Sequence, residues 1–400
     1  MTSNIATGLD VGTSSIKTLV VQKMSPDSEI EVLAKSQKPS AGLRKGVVAE
    51  IAKTESIIRE SFEECQSQLG KKIDSVCANV GGAHIFSAFS RGLVSVSRAD
   101  KKISQEDIER VLENARTFSL PANNEILDIF PKEYIVDGND GVREAVGMNG
   151  VRLEAEILAV CGFSPYIKNL SDSILSTGVS LEGVIPSVLA AARAVLTPQQ
   201  KELGVVIVDI GAGNTQMAVF EEGELLDLAV FPIGGIHISN DIAIGLCTDI
   251  NIAERIKKEF GSCSGGKTKK IEKIESLNKG EPLIFSQKML IRIIEARTVE
   301  IFEQVQKELK KISRQGLLPA GVVLTGGTAK LPKIVELAKK ELKLPVQIGV
   351  PRGFLGIEPD PSLATVCGLA MEGMDSSGPN VGVIDWIKKI LKKIFKIFIP

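Results

Sequence analysis

Histidine is almost missing: the 400-residue chain has two, His84 and His237, and its six cysteines (Cys65, Cys77, Cys161, Cys247, Cys263, Cys367) lie far apart with no Cys-x-x-Cys pair. That scarcity excludes the usual zinc spacings and a disulfide framework, and leads us to expect the reduced thiols of a cytosolic protein. Neither histidine has a partner at metal-ligand spacing, so both read as structural. Excess positive charge is missing too: the formal net charge of −1 offers no basic surface of the kind a general nucleic-acid binder needs. There is no run of about 20 uncharged apolar residues to span a bilayer. The start, MTSNIATGLDVGTSS, lacks the charged head and apolar run of a signal peptide. We therefore expect no membrane-spanning segment.

What is present is length and a repeated pattern. A chain of 400 residues is long enough for two or three domains with substantial cores. Two stretches, IATGLDVGTSSIKTLVVQ from Ile5 and VVIVDIGAGNTQMAVF from Val205, share an apolar run, an aspartate, a turn of small residues and a second β-rich run. Each reads as a hairpin, and each introduces further strands and helical periodicity. Two related α/β lobes follow. Between them, Ser104 and Asp107 suit the start of a helix reaching to Phe118, set among short strands such as GLVSVS, EYIVDG and AEILAVC. That region reads as an inserted α+β subdomain. A second insertion carries a polar loop, GSCSGGKTKK, and a long helix from Ser286, and MEGMDSSGPNVG has the composition of a linker.

The two hairpin turns have the chemistry of phosphate loops. In the first, Gly12 allows close backbone approach, Thr13, Ser14 and Ser15 bring donors, and Asp10 can face a hydrated magnesium ion. In the second, Asp209, Gly211, Gly213, Asn214 and Thr215 offer the same groups. A later Gly326-Gly327-Thr328 turn follows the apolar strand AGVVLT and suits an adenosine. Two facing loops would clamp a triphosphate, with Asp10 and Asp209 on one magnesium through water.

The end of the chain is different again. From Val383, apolar residues fall at Trp386, Ile387, Ile390, Leu391, Ile394, Ile397 and Phe398, at the spacing of one helical face. Lys388, Lys389, Lys392, Lys393 and Lys396 occupy the other face; against Asp385 they give this tail +4, which leaves −5 for the rest of a chain whose total is −1. A helix of about 17 residues covers only about 25 Å, and lysines recur through its middle, so it should lie in an anionic membrane interface rather than cross it.

The order of two phosphate hairpins and a late Gly-Gly turn resembles the actin, Hsp70 and sugar-kinase superfamily. Within it, GLDVGTSSIK, PKEYIVDG followed by GVRLEAEILAVC, VVIVDIGAGNT, IIEARTVEIFEQV and GVVLTGGTAKLPKI, with the basic tail, resemble the bacterial cell-division FtsA family over essentially the whole chain. The resemblance implies a duplicated, two-lobed actin-like ATPase fold with an inserted subdomain and a C-terminal amphipathic helix. It further implies ATP binding with magnesium, self-assembly into protofilaments, and tethering of the tubulin-like division protein FtsZ, through its C-terminal peptide, to the cytoplasmic face of the inner membrane at the septum, alongside other division proteins. It places Glu254 and Lys257 at the ribose and base, although such a pair three apart on a helix also suits a solvated surface. It also places Arg297 at the FtsZ-binding surface. On this reading the first lobe comprises residues 1–81, 164–203 and 360–370, with the insertion at 82–163. The second comprises 204–230 and 307–359, with its own subdomain at 231–306; a linker at 371–382 leads to the membrane helix at 383–400.

Two departures from the family pattern point to ATP binding with at most slow hydrolysis. Gln216 stands where many superfamily ATPases carry an acid, beside Ala212 in place of the usual middle glycine, and Ile185-Pro186 stands where several relatives place a water-orienting acid. A soluble kinase or Hsp70-like ATPase is the alternative from another class, and a related pilus-assembly protein a third. The tail and the IIEAR helix favour the membrane tether over both.

Overall fold

The computed structural model describes residues 4–25, 28–265, 271–274 and 283–376. The first hairpin pairs Asn4–Val11 with Ser15–Lys23, from Asn4 opposite Lys23 to Val11 opposite Ile16. Ile30–Pro39 extends it as an antiparallel meander, while Ser75–Val80 and Ser180–Pro186 add on the other side as parallel strands. The second lobe repeats this plan. Thr215–Glu221 is flanked by Glu224–Phe231 and Val205–Ile210, and Gly321–Thr325 and Val346–Ile348 continue the sheet in parallel. The central strands of both sheets are buried on both faces; in Val205–Ile210 every residue is buried, which is why they read as continuous apolar runs rather than alternations.

The inserted subdomain is a four-stranded antiparallel sheet in the order Phe86–Ser95, Arg152–Phe163, Asn124–Val136, Asn139–Val142. The helix Gln105–Arg116 packs on it, burying Ile108, Val111, Leu112 and Ala115 against Leu153, Ala155 and Ile157 in a core of its own. Its start is the anticipated one. Ser104 accepts from the Asp107 amide and the Asp107 carboxylate accepts back from the Ser104 amide, satisfying two helix-end donors.

The structure moves three of the expected boundaries. The helix Gln287–Lys311 is continuous, so no break follows Gln306; its buried stripe of Leu290, Ile294, Ile301, Val305 and Leu309 keeps the helical period throughout. Phe354–Leu355, expected in the second lobe, instead pairs in parallel with Ile30 and Glu31 at the edge of the first sheet. The last helix, Ala364–Ser376, takes in Met371 to Ser376, so these residues are not linker; Met374 is buried and anchors them. The membrane face expected at Trp386, Ile387, Ile390, Leu391, Ile394 and Phe398, with its five lysines, lies outside the described residues. No helix among those described is long and apolar enough to cross a membrane.

Candidate nucleotide site

Each hairpin closes with the same turn: the Gly12 amide donates to the Ser15 carbonyl (3.2 Å), and the Gly211 amide to the Asn214 carbonyl (3.0 Å). The duplication inferred from sequence is therefore geometric. The loops meet tip to tip, since a Cβ added to Gly213 would lie 2.6 Å from the Thr13 hydroxyl. Behind them opens a cleft of about 770 Å³ between the lobes.

Every residue anticipated for phosphate, metal or adenosine contact lines this cleft, with one exception. Thr215 faces away: it is fully buried and its hydroxyl donates to the Ile233 carbonyl (2.8 Å). Alternation along a strand turns it into the second lobe while Asn214, one residue earlier, stays in the cleft. Gly326 (φ 87°) has a backbone that only glycine adopts without strain, and a Cβ there would collide with the Asp209 carboxylate. The Gly-Gly turn thus presses directly on the second acid.

The two aspartates differ in their partners. Lys17, opposite Asp10 across the hairpin, reaches its Oδ2 at 2.9 Å. Asn79 donates to Asp10 Oδ1 (3.0 Å) and to the Ser187 hydroxyl (3.0 Å), while its carbonyl oxygen accepts the Val11 amide (2.6 Å). Among the described residues Asp209 has no cation of its own, and its one side-chain hydrogen bond is from the Thr365 hydroxyl (3.4 Å). Burial, with the nearby charge of Asp10, pushes the Asp209 carboxyl up to about 6. A buried acid short of a cation, facing a second acid, fits magnesium, which binds through one or two carboxylates with water and phosphate oxygens. Among the described residues no cluster of three or more acids, histidines or cysteines offers a metal cage, so a cation here would need those phosphate oxygens.

Glu254 and Lys257 are not a solvated surface pair. Lys257 is buried in the cleft wall, its ammonium donating to the Gly235 carbonyl (2.9 Å) and the Ser239 hydroxyl (2.9 Å) and pairing with Glu254 (2.6 Å). Burial lowers the Lys257 pKa although Glu254 opposes it; at Glu254, burial is outweighed by Lys257, Ser239 and Lys258, which hold it below the usual carboxylate range. Exposed Ile236 and Ile250 add apolar surface to this wall.

Gln216 crosses between lobes. Its carbonyl oxygen accepts the Val188 amide (3.3 Å) at the start of helix Ser187–Val195, and its amide donates to Asn214 Oδ1 (3.3 Å). Lys17, Asn79, Ser187 and Thr365 were not anticipated. Lys17 was legible as the cross-strand neighbour of Asp10; nothing in the local sequence marks the other three. Arg297 lies away from the cleft, and its guanidinium is bidentate to Asp241 (2.6 and 2.9 Å) and also bound to Glu300 (2.5 Å).

Comparison with known proteins identifies the family and the fold. Residues 206–368 match the family model described as cell division protein FtsA, and residues 82–161 match the SHS2 domain inserted in FtsA. The chain is 37% identical over 382 residues to cell division protein FtsA of Pseudomonas aeruginosa, covering 94% of this chain and 91% of that one. It is 36% identical to that of Bacillus subtilis (90% and 81% covered) and 28% identical to that of Escherichia coli K12 (98% of each). Among solved structures, it resembles the PilM–PilN type IV pilus biogenesis complex at a TM-score of 0.67 and 18% identity, covering 92% of this chain and 98% of that one. It also resembles MreB5 of Spiroplasma citri bound to ADP, at 0.56 and 14% identity, covering 97% and 98%. These structural likenesses carry the fold, which is actin-like.

Proposed function

Because the chain belongs to the cell-division protein FtsA family and has an actin-like fold, we propose that it binds ATP with magnesium between its lobes, assembles into protofilaments and tethers FtsZ to the membrane. The observation that carries the nucleotide reading is the meeting of both hairpin turns and the Gly326-Gly327 turn on one cleft that holds two facing aspartates. The structure of MreB5, with the same fold, holds ADP. The loop donors of Thr13, Ser14 and Ser15 with Lys17 suit the phosphates; Glu254 and Lys257, with the apolar wall beside them, suit the adenosine. Turnover is slow on this reading, because Gln216 carries no carboxylate.

The membrane contact rests on the amphipathic pattern from Val383 onward. Each lysine near an anionic surface contributes about 1 kcal/mol, and each well-buried large apolar side chain roughly 1.5 to 3 kcal/mol. Partial burial and helix ordering offset much of this, leaving reversible attachment that strengthens when several subunits engage together. FtsZ docks at the subdomain that presents Arg297, and no nucleic acid is bound.

Sedimentation with anionic liposomes, with and without FtsZ, tests the tether. The full chain should carry FtsZ down. A chain ending before Val383 should bind ATP and melt unchanged but leave FtsZ in solution. Trp386→Glu should fail on all membranes, and Lys389→Glu with Lys393→Glu chiefly on anionic ones. Undiminished liposome binding by the shortened chain would overturn the tether.

A further inference from the structure

The last helix, Ala364–Ser376, begins in the nucleotide cleft and ends where the chain continues into residues 377–400. At its start, the Pro361 carbonyl accepts from the Gly326 amide (3.1 Å) and the Thr325 hydroxyl (2.9 Å), and Thr365 donates to Asp209 (3.4 Å). These contacts tie the helix to the second lobe. Its body lies in the first lobe with no lateral room. A Cβ on Gly8 would sit 2.5 Å from the Val366 carbonyl oxygen, and one on Gly368 would collide with the Ala190 carbonyl. At its far end Arg193 holds Glu372 (2.6 Å) and Asp375. Arg193 itself is on helix Ser187–Val195, whose Val188 amide donates to Gln216 of the second lobe. Both helices therefore start at the cleft and are joined again at the Arg193 cluster, about 9 Å along one helix and about 15 Å along the other at about 1.5 Å per residue.

We propose that this helix couples occupation of the cleft to how firmly its own far end is held at Glu372 and Asp375. The proposal rests on the nucleotide reading above. Close-packed helices shift as units rather than deform. A movement of Asp209 against Thr365 as the lobes close is therefore passed along the rod to the Arg193 ion pairs instead of being absorbed midway.

Coupling between two sites is reciprocal, which makes the far end the place to test it. In the full-length chain, ATP with magnesium should change amide hydrogen exchange in residues 371–376 by about fivefold or more. Arg193→Gln, outside the cleft, should shift ATP affinity by a comparable factor, and Arg193→Lys should recover part of it. Asp375→Asn is a milder release of the same end and should act in the same direction. Arg59→Gln breaks an exposed ion pair with Glu55 elsewhere in the first lobe and should leave affinity unchanged. If ATP binds but exchange at 371–376 does not respond, or if Arg59→Gln shifts affinity as much as Arg193→Gln does, the coupling is absent. A wild-type chain that binds no ATP at all overturns the underlying reading, and this proposal with it.

Discussion

Lys17 and Gln216 occupy the same place in two copies of one hairpin, opposite Asp10 and Asp209 respectively, and only Lys17 reaches its aspartate. Gln216 turns instead to the Val188 amide of the other lobe. One copy thus neutralises its acid, while the other leaves its acid bare of any cation among the described residues and uses the partner position to join the lobes.

The bare acid should make stability depend on pH. Asp209 titrates near 6 when folded because of burial and the charge of Asp10, against about 3.9 in an unfolded chain. Between those values the native state keeps a proton that the unfolded state has lost, so this contribution is complete below pH 4 and lost as the pH rises through 6. Asp209→Asn removes the titration. Relative to that variant, the wild type should lose roughly 2 to 3 kcal/mol between pH 4 and 7. Urea denaturation across this range measures it, and parallel curves for the two proteins would contradict the assignment. Binding of ATP with magnesium should weaken below pH 6, where a protonated Asp209 no longer attracts the cation.

Gln216 has a structural task, accepting the Val188 amide. Gln216→Leu leaves the Val188 amide without its partner and should cost about 1 to 3 kcal/mol in denaturant unfolding. Wild-type turnover of ATP should stay below about 1 per second, under the range typical of good enzymes. A faster rate in a phosphate-release assay would show that water is activated without a carboxylate at this position.

Arg297 is held in a fork by Asp241 and shared with Glu300, so it would meet the proposed partner already paired. Arg297→Glu would place three carboxylates together. It should weaken binding of the FtsZ C-terminal peptide by about tenfold and, because the cluster is partly exposed, lower stability by only about 1 kcal/mol. Arg297→Lys keeps the charge but loses the fork and should fall between the two. Fluorescence polarisation that found one affinity for all three proteins would place the peptide elsewhere.

The duplicated hairpins and the Ser104 cap could be read from sequence alone, because turn chemistry and capping are written in residues a few positions apart. Asp10 and Asp209 could be named for the same reason. What surrounds them could not. Asn79 meets Asp10 from 69 residues away, Thr365 meets Asp209 from 156, and Asp241 meets Arg297 from 56. Even Thr215, next to a cleft residue, was decided by which face of its strand the second lobe buried. Local patterns specify which elements form and which face is apolar. Which side chains then share a hydrogen bond depends on how sheets and helices pack, and that is settled only when burial leaves each polar group to find a partner within reach.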